Sequence, residues 1–304
     1  MVKIVKIKVI VVGKIASLWY NFDMKYEITN DKILIYDKLD FNPKHIFECG
    51  QIFRYKNTNC NDYIVFSEDK KAEVIETKNG YEIKTQNTKY FENFFDLKTD
   101  YSKIKKELAQ KSETLKLATE FGHGIRILNQ SPVETVFGFI ISANNNIKRI
   151  QSLVEKLSKK CGTFADGFYA FPTISQIATL SVDDLKEMGM GFRAKYIFNT
   201  AKKLCGTDLE SLRSFDTEKL LSFLLTLDGV GPKVADCIAL FAYHKMKCFP
   251  VDTWVEKIYN SYFANKPISN RVLIRKNLVE QFGNLSGYAQ QYLFYYKREL
   301  DKKG

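Results

Sequence analysis

The chain has 304 residues, 45% hydrophobic and 27% charged, with Lys plus Arg outnumbering Asp plus Glu by 46 to 35. This is the composition of an ordinary globular protein, long enough for one large domain or a few packed subdomains. The formal charge of +11 points to a polyanionic partner, although a lysine-rich solvated surface would give the same total. Six scattered cysteines, none in a CxxC pair, exclude a zinc ribbon and a disulfide scaffold, and they fit a reducing compartment.

Residues 1–23 carry four lysines and no acid before Asp23. The apolar run Val9 to Gly13 is broken by Lys14 and is too short to span a membrane. The segment reads as an N-terminal extension ahead of a start at Met24. A targeting role would fit its charge but not its lack of arginine.

From about Met24 to about Leu97 the pattern has period two. Tyr26-Glu27-Ile28, Ile33 to Tyr36 and Tyr63 to Phe66 read as strands. Val74 to Lys78 and Tyr81 to Lys84 flank Asn79-Gly80, a strong hairpin pair because both residues tolerate positive φ. The expectation is an antiparallel sheet domain over residues 24–115.

After about Tyr101 the period becomes helical, and residues 116–304 are expected to form an all-helical body. Ile104, Leu108, Leu115 and Ala118 begin the run. Val133, Val136, Phe137, Ile140 and Ile141 follow, then Ile150, Leu153, Val154 and Leu157. Further helices are expected over about 182–187, 194–204, 217–226, 233–243 and 287–298. The fold class is α+β.

The segment Leu224 to Cys237 is the most informative. Gly229 and Gly231 permit a tight turn with uncovered amides, and Pro232 suits the first position of the next helix. This is a helix-hairpin-helix, spanning residues 217–243. Its second helix offers a phosphate both N–H donors and the favourable end of the dipole. A plain interhelical turn would show the same two glycines. Lys233 sits just inside that helix, where the dipole favours the neutral amine, and Asp252 follows 19 residues later. On the residues alone, Lys233 could be a DNA-facing surface lysine and Asp252 a helix N-cap.

Leu227 to Cys237 followed by Pro250-Val251-Asp252 resembles the signature of the helix-hairpin-helix DNA glycosylase superfamily. Within it the chain resembles the 8-oxoguanine DNA glycosylases of the eukaryotic type, which also occur in some bacteria. The likeness runs from about Met24 to the C-terminus. The absence of cysteines after Cys248 separates it from the iron–sulfur relatives.

The resemblance implies a sheet domain like that of the TATA-binding protein, then a helical glycosylase body. It implies a bifunctional enzyme that flips 8-oxoguanine from duplex DNA opposite cytosine and excises it. Lys233 would be the Schiff-base nucleophile that then nicks the strand by β-elimination, and Asp252 would stabilise the developing positive charge.

In the motif His45 to Tyr55, Gly50 would offer its carbonyl to the N7–H that 8-oxoguanine has and guanine lacks. Cys237 would lie on one face of the base. Phe294 would stack on the other, and Gln290 would read the pairing edge. In Phe139 to Ile150, Asn144 maps to the residue that fills the gap left by the flipped base. Arg149 and Arg193 map to readers of the opposite cytosine, and Phe192 to the aromatic wedge. Gly229, Gly231 and Val234 map to the hairpin contacts with DNA.

No cofactor is implied, beyond a monovalent or divalent cation held by the hairpin carbonyls of Leu225, Leu227 and Val230. The implied partner is double-stranded DNA, with no membrane, and the implied working form is a monomer. The implied location is the nucleoid of a bacterium or the nucleus of a eukaryote. Trp254 departs from the family, which often has histidine there. Two other readings are a glycosylase for another damaged base and a non-catalytic helix-hairpin-helix DNA-binding protein.

Overall fold

The computed structural model describes residues 5–11, 14–20 and 24–302. Within the expected extension, strands β1 (Val5–Val11) and β2 (Lys14–Tyr20) pair antiparallel, and the rest of residues 1–23 lies outside the described residues.

A six-stranded antiparallel sheet follows. It is built from β3 (Tyr26–Ile28), β4 (Lys32–Ile35), β5 (Tyr55–Asn59), β6 (Asp62–Ser67), β7 (Lys70–Thr77) and β8 (Gly80–Lys84), in the order β3-β4-β8-β7-β6-β5. Alternation puts Ile33, Ile35, Tyr63, Val65, Val74 and Ile83 on one face. They bury against helix α1 (Pro43–Phe47), which interrupts the sheet sequence, and α2 (Thr88–Phe94), through Phe41, Phe47, Phe91, Phe94 and Phe95.

The expected hairpin forms with its turn one position early. Thr77 pairs with Gly80, so the turn residues are Lys78 and Asn79, and neither has positive φ. Gly80 has a different reason to be glycine. A Cβ there would lie 1.8 Å from the carbonyl oxygen of Ile35 in β4.

The helical body runs through α3 (Tyr101–Ala109), α4 (Glu113–Phe121), α5 (Pro132–Ser142) and α6 (Ile147–Cys161). A short pair, β9 (Phe164–Ala165) and β10 (Phe168–Tyr169), leads to α7 (Ile174–Ile177), α8 (Val182–Glu187), α9 (Arg193–Leu204) and α10 (Thr217–Leu224). The chain ends in α11 (Pro232–Tyr243), α12 (Thr253–Tyr262), α13 (Arg271–Phe282) and α14 (Ser286–Asp301). Helices α5 and α11 are apolar almost all round and form the centre of the body, as such helices must. Their rings Phe139 and Phe241 stack at 5.6 Å.

Buried arginines join sheet to helices. Arg126 is fully buried over the Tyr101 ring and donates to the carbonyls of Asp40, Phe95, Asp96 and Thr99. Arg54 reaches Glu155 at 3.1 Å and donates to the Tyr169 carbonyl at 2.6 Å. A buried charge is tolerable only with such partners. Among the described residues, no helix is long and apolar enough to cross a membrane.

Candidate active site and DNA-facing edge

Helices α5, α11 and α14 and the loop after α1 enclose one cavity. It is lined by Gly50, Phe139, Lys233, Cys237, Asp252, Gln290 and Phe294, among others, and its volume is about 30 Å³. That is room for one water and far too little for a purine. The reason is Phe294. A Cβ on Gly50 would come within 3.3 Å of Phe294 Cε1, so the ring lies against the glycine and fills the space beside it. Gly50 has φ +87°, which further favours glycine there.

Lys233 is half-buried at the start of α11, with Nζ 5.5 Å from the centre of the Phe139 ring. One turn on, Cys237 is buried, and burial pushes its thiol up to about 11, with nearby Lys233 pulling the other way. Asp252 is the N-cap of α12. Its Oδ1 accepts both the Trp254 and Val255 amides, at 2.9 and 3.0 Å, which leaves Oδ2 for the cavity. The cap and the cavity position are therefore compatible in one residue. On α14, Gln290 is buried and its Oε1 has no hydrogen-bond partner. Such an atom costs about 1–3 kcal/mol until something donates to it.

Asp236 carries no sequence signal of its own. It lies on α11 between Lys233 and Cys237, is 1% exposed, and binds Arg275 of α13 with both carboxylate oxygens. Burial raises its carboxyl, and Arg275 opposes that shift. The pair fixes the helix that carries Lys233. Only its sequence neighbours hinted at it, since Arg275 is 39 residues away.

The hairpin glycines differ. Gly229 has φ +79°, and a Cβ there would meet Tyr196 at 2.8 Å. Gly231 has ordinary φ, is exposed, and would place a Cβ in open space, so folding does not require glycine there. Val234 is buried. Leu227's carbonyl accepts the Val230 amide at 3.2 Å, so a cation would have to share that oxygen with the turn. Among the described residues, no group of three or more His, Cys, Asp and Glu is placed to hold a metal ion, although His45 and His123 meet edge to face at 4.7 Å.

The three asparagines divide their tasks. Asn145 donates to Ile141 at the end of α5, and Asn146 caps α6 by accepting the Arg149 amide. Asn144 has φ +48° and is exposed, and its carbonyl accepts from Arg193 at 2.8 Å. Arg193 is 4% exposed, and its guanidinium also binds the carbonyl of Ala143 while lying 4.4 Å from the centre of the Phe192 ring. Arg149 is exposed, 3.3 Å from the Gly189 carbonyl, and its charge works with burial to lower the affinity of Arg193 for its proton. Phe192 is 55% exposed. The fold thus gathers Asn144, Arg149, Phe192 and Arg193 along one edge, separate from the cavity.

Residues 33–136 match the family described as 8-oxoguanine DNA glycosylase, N-terminal domain. Residues 137–283 match the HhH-GPD superfamily base excision DNA repair protein. The chain is 30% identical to an N-glycosylase/DNA lyase of Saccharomyces cerevisiae, over 82% of this chain and 81% of that protein. It is 31% identical to a probable N-glycosylase/DNA lyase of Methanothermobacter thermautotrophicus, over 68% and 73%. Among solved structures, it is similar to the Clostridium acetobutylicum 8-oxoguanine glycosylase/lyase in complex with double-stranded DNA containing cytosine opposite 8-oxoguanine. That match has a TM-score of 0.85 and 39% identity, covering 93% of this chain and 100% of that one.

Proposed function

The chain belongs to the helix-hairpin-helix family of 8-oxoguanine DNA glycosylase/lyases, and within that family we propose that it excises 8-oxoguanine opposite cytosine through a Schiff base on Lys233. The observation that carries this reading is the meeting of Lys233, Asp252, Gly50, Cys237, Gln290 and Phe294 in one cavity. A nucleophilic amine, a carboxylate oxygen and apolar walls that can close on a base are what glycosidic cleavage requires together.

The partner is duplex DNA, taken up by a monomer. Phe294 leaves Gly50, and the flipped base enters between the ring and Cys237. The unpartnered Gln290 Oε1 then gains donors from the pairing edge of a guanine-type base. The Gly50 carbonyl accepts N7–H, which guanine lacks, and a guanine would leave that acceptor unpaired. Lys233 Nζ, as the neutral amine, attacks C1′ while the C1′–N9 bond breaks and the base leaves with its electron pair. Asp252 Oδ2 stabilises the positive charge developing on the sugar. Nζ gives up a proton to the departing base, and cleavage of C1′–O4′ with protonation of O4′ gives the imine. Removal of a 2′ proton then expels the 3′ phosphate and nicks the strand.

Asn144 fills the vacated stack, Phe192 wedges the duplex, and Arg149 and Arg193 read the cytosine. Amides at Gly229, Gly231 and Val234 hold a phosphate. No cofactor enters the chemistry. The carbonyls of Leu225, Leu227 and Val230 are the hard oxygen donors that suit a cation bracing the hairpin.

Borohydride trapping on a duplex with one 8-oxoguanine opposite cytosine tests the reading. The chain should give a covalent adduct and a nicked strand, and Lys233→Gln should give neither. Base release with no adduct would remove Lys233 as nucleophile.

A further inference from the structure

The Gly50 carbonyl matters to lesion choice only if it points one way, and a backbone carbonyl in a loop has no intrinsic reason to do so. The loop Glu48–Gln51 is held by side chains from the helical body. Arg298 Nη2 of α14 donates to the Glu48 carbonyl. Gln291 Nε2, also of α14, donates to the Cys49 carbonyl at 2.9 Å. Gln130 Nε2, just before α5, donates to the Gln51 carbonyl at 2.8 Å. The Gln51 side chain in turn donates to the carbonyls of Ile46 and Arg126 and accepts the Leu128 amide at 2.9 Å. Each carbonyl neighbouring Gly50 is thus occupied, while no donor among the described residues reaches that of Gly50.

We propose that Gln291 and Arg298 are positioning residues for lesion discrimination, clamping the Glu48–Gln51 loop so that the Gly50 carbonyl alone faces the base. The inference rests on the reading of Gly50 given above. Both clamp residues sit on the helix that carries Gln290 and Phe294, Arg298 one turn beyond Phe294. One rigid element therefore sets the reader of the pairing edge and, across the domain junction, the carbonyl that reads N7. Arg298 also limits what position 50 can be. A Cβ on Gly50 would lie 3.3 Å from Arg298 Nη1, a buried nitrogen with no partner. The clamp spans 242 residues between Gln291 and Cys49, which makes it a tertiary device with no local pattern.

The test separates discrimination from integrity. In a Lys233→Gln background, where both bases stay intact, the ratio of Kd values for guanine and 8-oxoguanine opposite cytosine is measured with and without Gln291→Met and Arg298→Met. Each should cut that ratio by about tenfold, the scale set by leaving a buried carbonyl without its donor. Arg298→Lys, which keeps a donor, should restore part of it. With Lys233 intact, nicking of a preformed abasic site bypasses the base and should change by less than about twofold. An unchanged ratio would overturn the clamp. So would an abasic-site rate that falls in step with the ratio, because the residues would then merely hold the fold. If the chain without clamp substitutions shows no preference for 8-oxoguanine, the proposed function fails first and the clamp falls with it.

Discussion

The cavity and the edge solve opposite problems. The cavity is buried, nearly filled, and built mostly from side chains on α5, α11 and α14, closed by the Gly50 loop and the Asp252 cap. The edge exposes Asn144, Arg149 and Phe192 and rests in part on backbone that is not regular, with Asn144 and Gly191 at positive φ and the buried Arg193 guanidinium occupied by the carbonyls of Ala143 and Asn144. Chemistry needs fixed distances, which a packed core supplies. Insertion into a base stack needs groups that protrude, which a packed core cannot offer. Stability and activity should therefore separate: substitutions behind the cavity should unfold the protein, and substitutions on the edge should leave it folded and slow.

Four substitutions put that separation at risk, taken from the largest effect downward. Arg275→Met leaves the Asp236 carboxylate buried without its partner and should cost about 3 kcal/mol, read as a lowered denaturant midpoint. A stability loss under about 1 kcal/mol would mean that α11 does not depend on this pair. Gly229→Ala stands between the two regions. It forces an alanine to φ +79° against Tyr196 and should cost about 1–3 kcal/mol together with DNA affinity. Gly231→Ala and Phe192→Ala should each change stability by under about 0.5 kcal/mol. Gly231→Ala should still weaken duplex binding, and Phe192→Ala should slow single-turnover excision. If either lowers the thermal midpoint as Arg275→Met does, the contrast between cavity and edge is wrong.

Much of the fold was legible because it is written locally. Alternation in Ile33 to Ile35 and Tyr63 to Val65, and the helical spacing in α5, α6 and α11, follow directly from burying one face or one stripe. Strand β5 is not legible, because Lys56 to Asn59 are all exposed on an edge strand and show no apolar period. Helix α13 is illegible for a related reason. It buries Ile274, Leu278 and Phe282 but exposes Val272 and Leu273, so its apolar residues do not mark one face. At the site, the hairpin and the Lys233–Asp252 spacing form a compact motif, whereas Asp236–Arg275 and the contacts around Gly50 join residues far apart in the chain. The closure of the cavity by Phe294 had no trace in the sequence, since it is a matter of one ring's position.

That closure also bears on affinity. If only a fraction f of molecules has Phe294 withdrawn, the apparent Kd for a flipped base is the intrinsic one divided by f. Every measured lesion affinity then understates the complementarity of the open pocket. A ligand shaped to the cavity as it stands would find room for a single water, while one that displaces the ring would gain the space the ring now fills. A substitution that merely loosens Phe294 from Gly50 would tighten binding of damaged and intact guanine alike, gaining affinity and no selectivity.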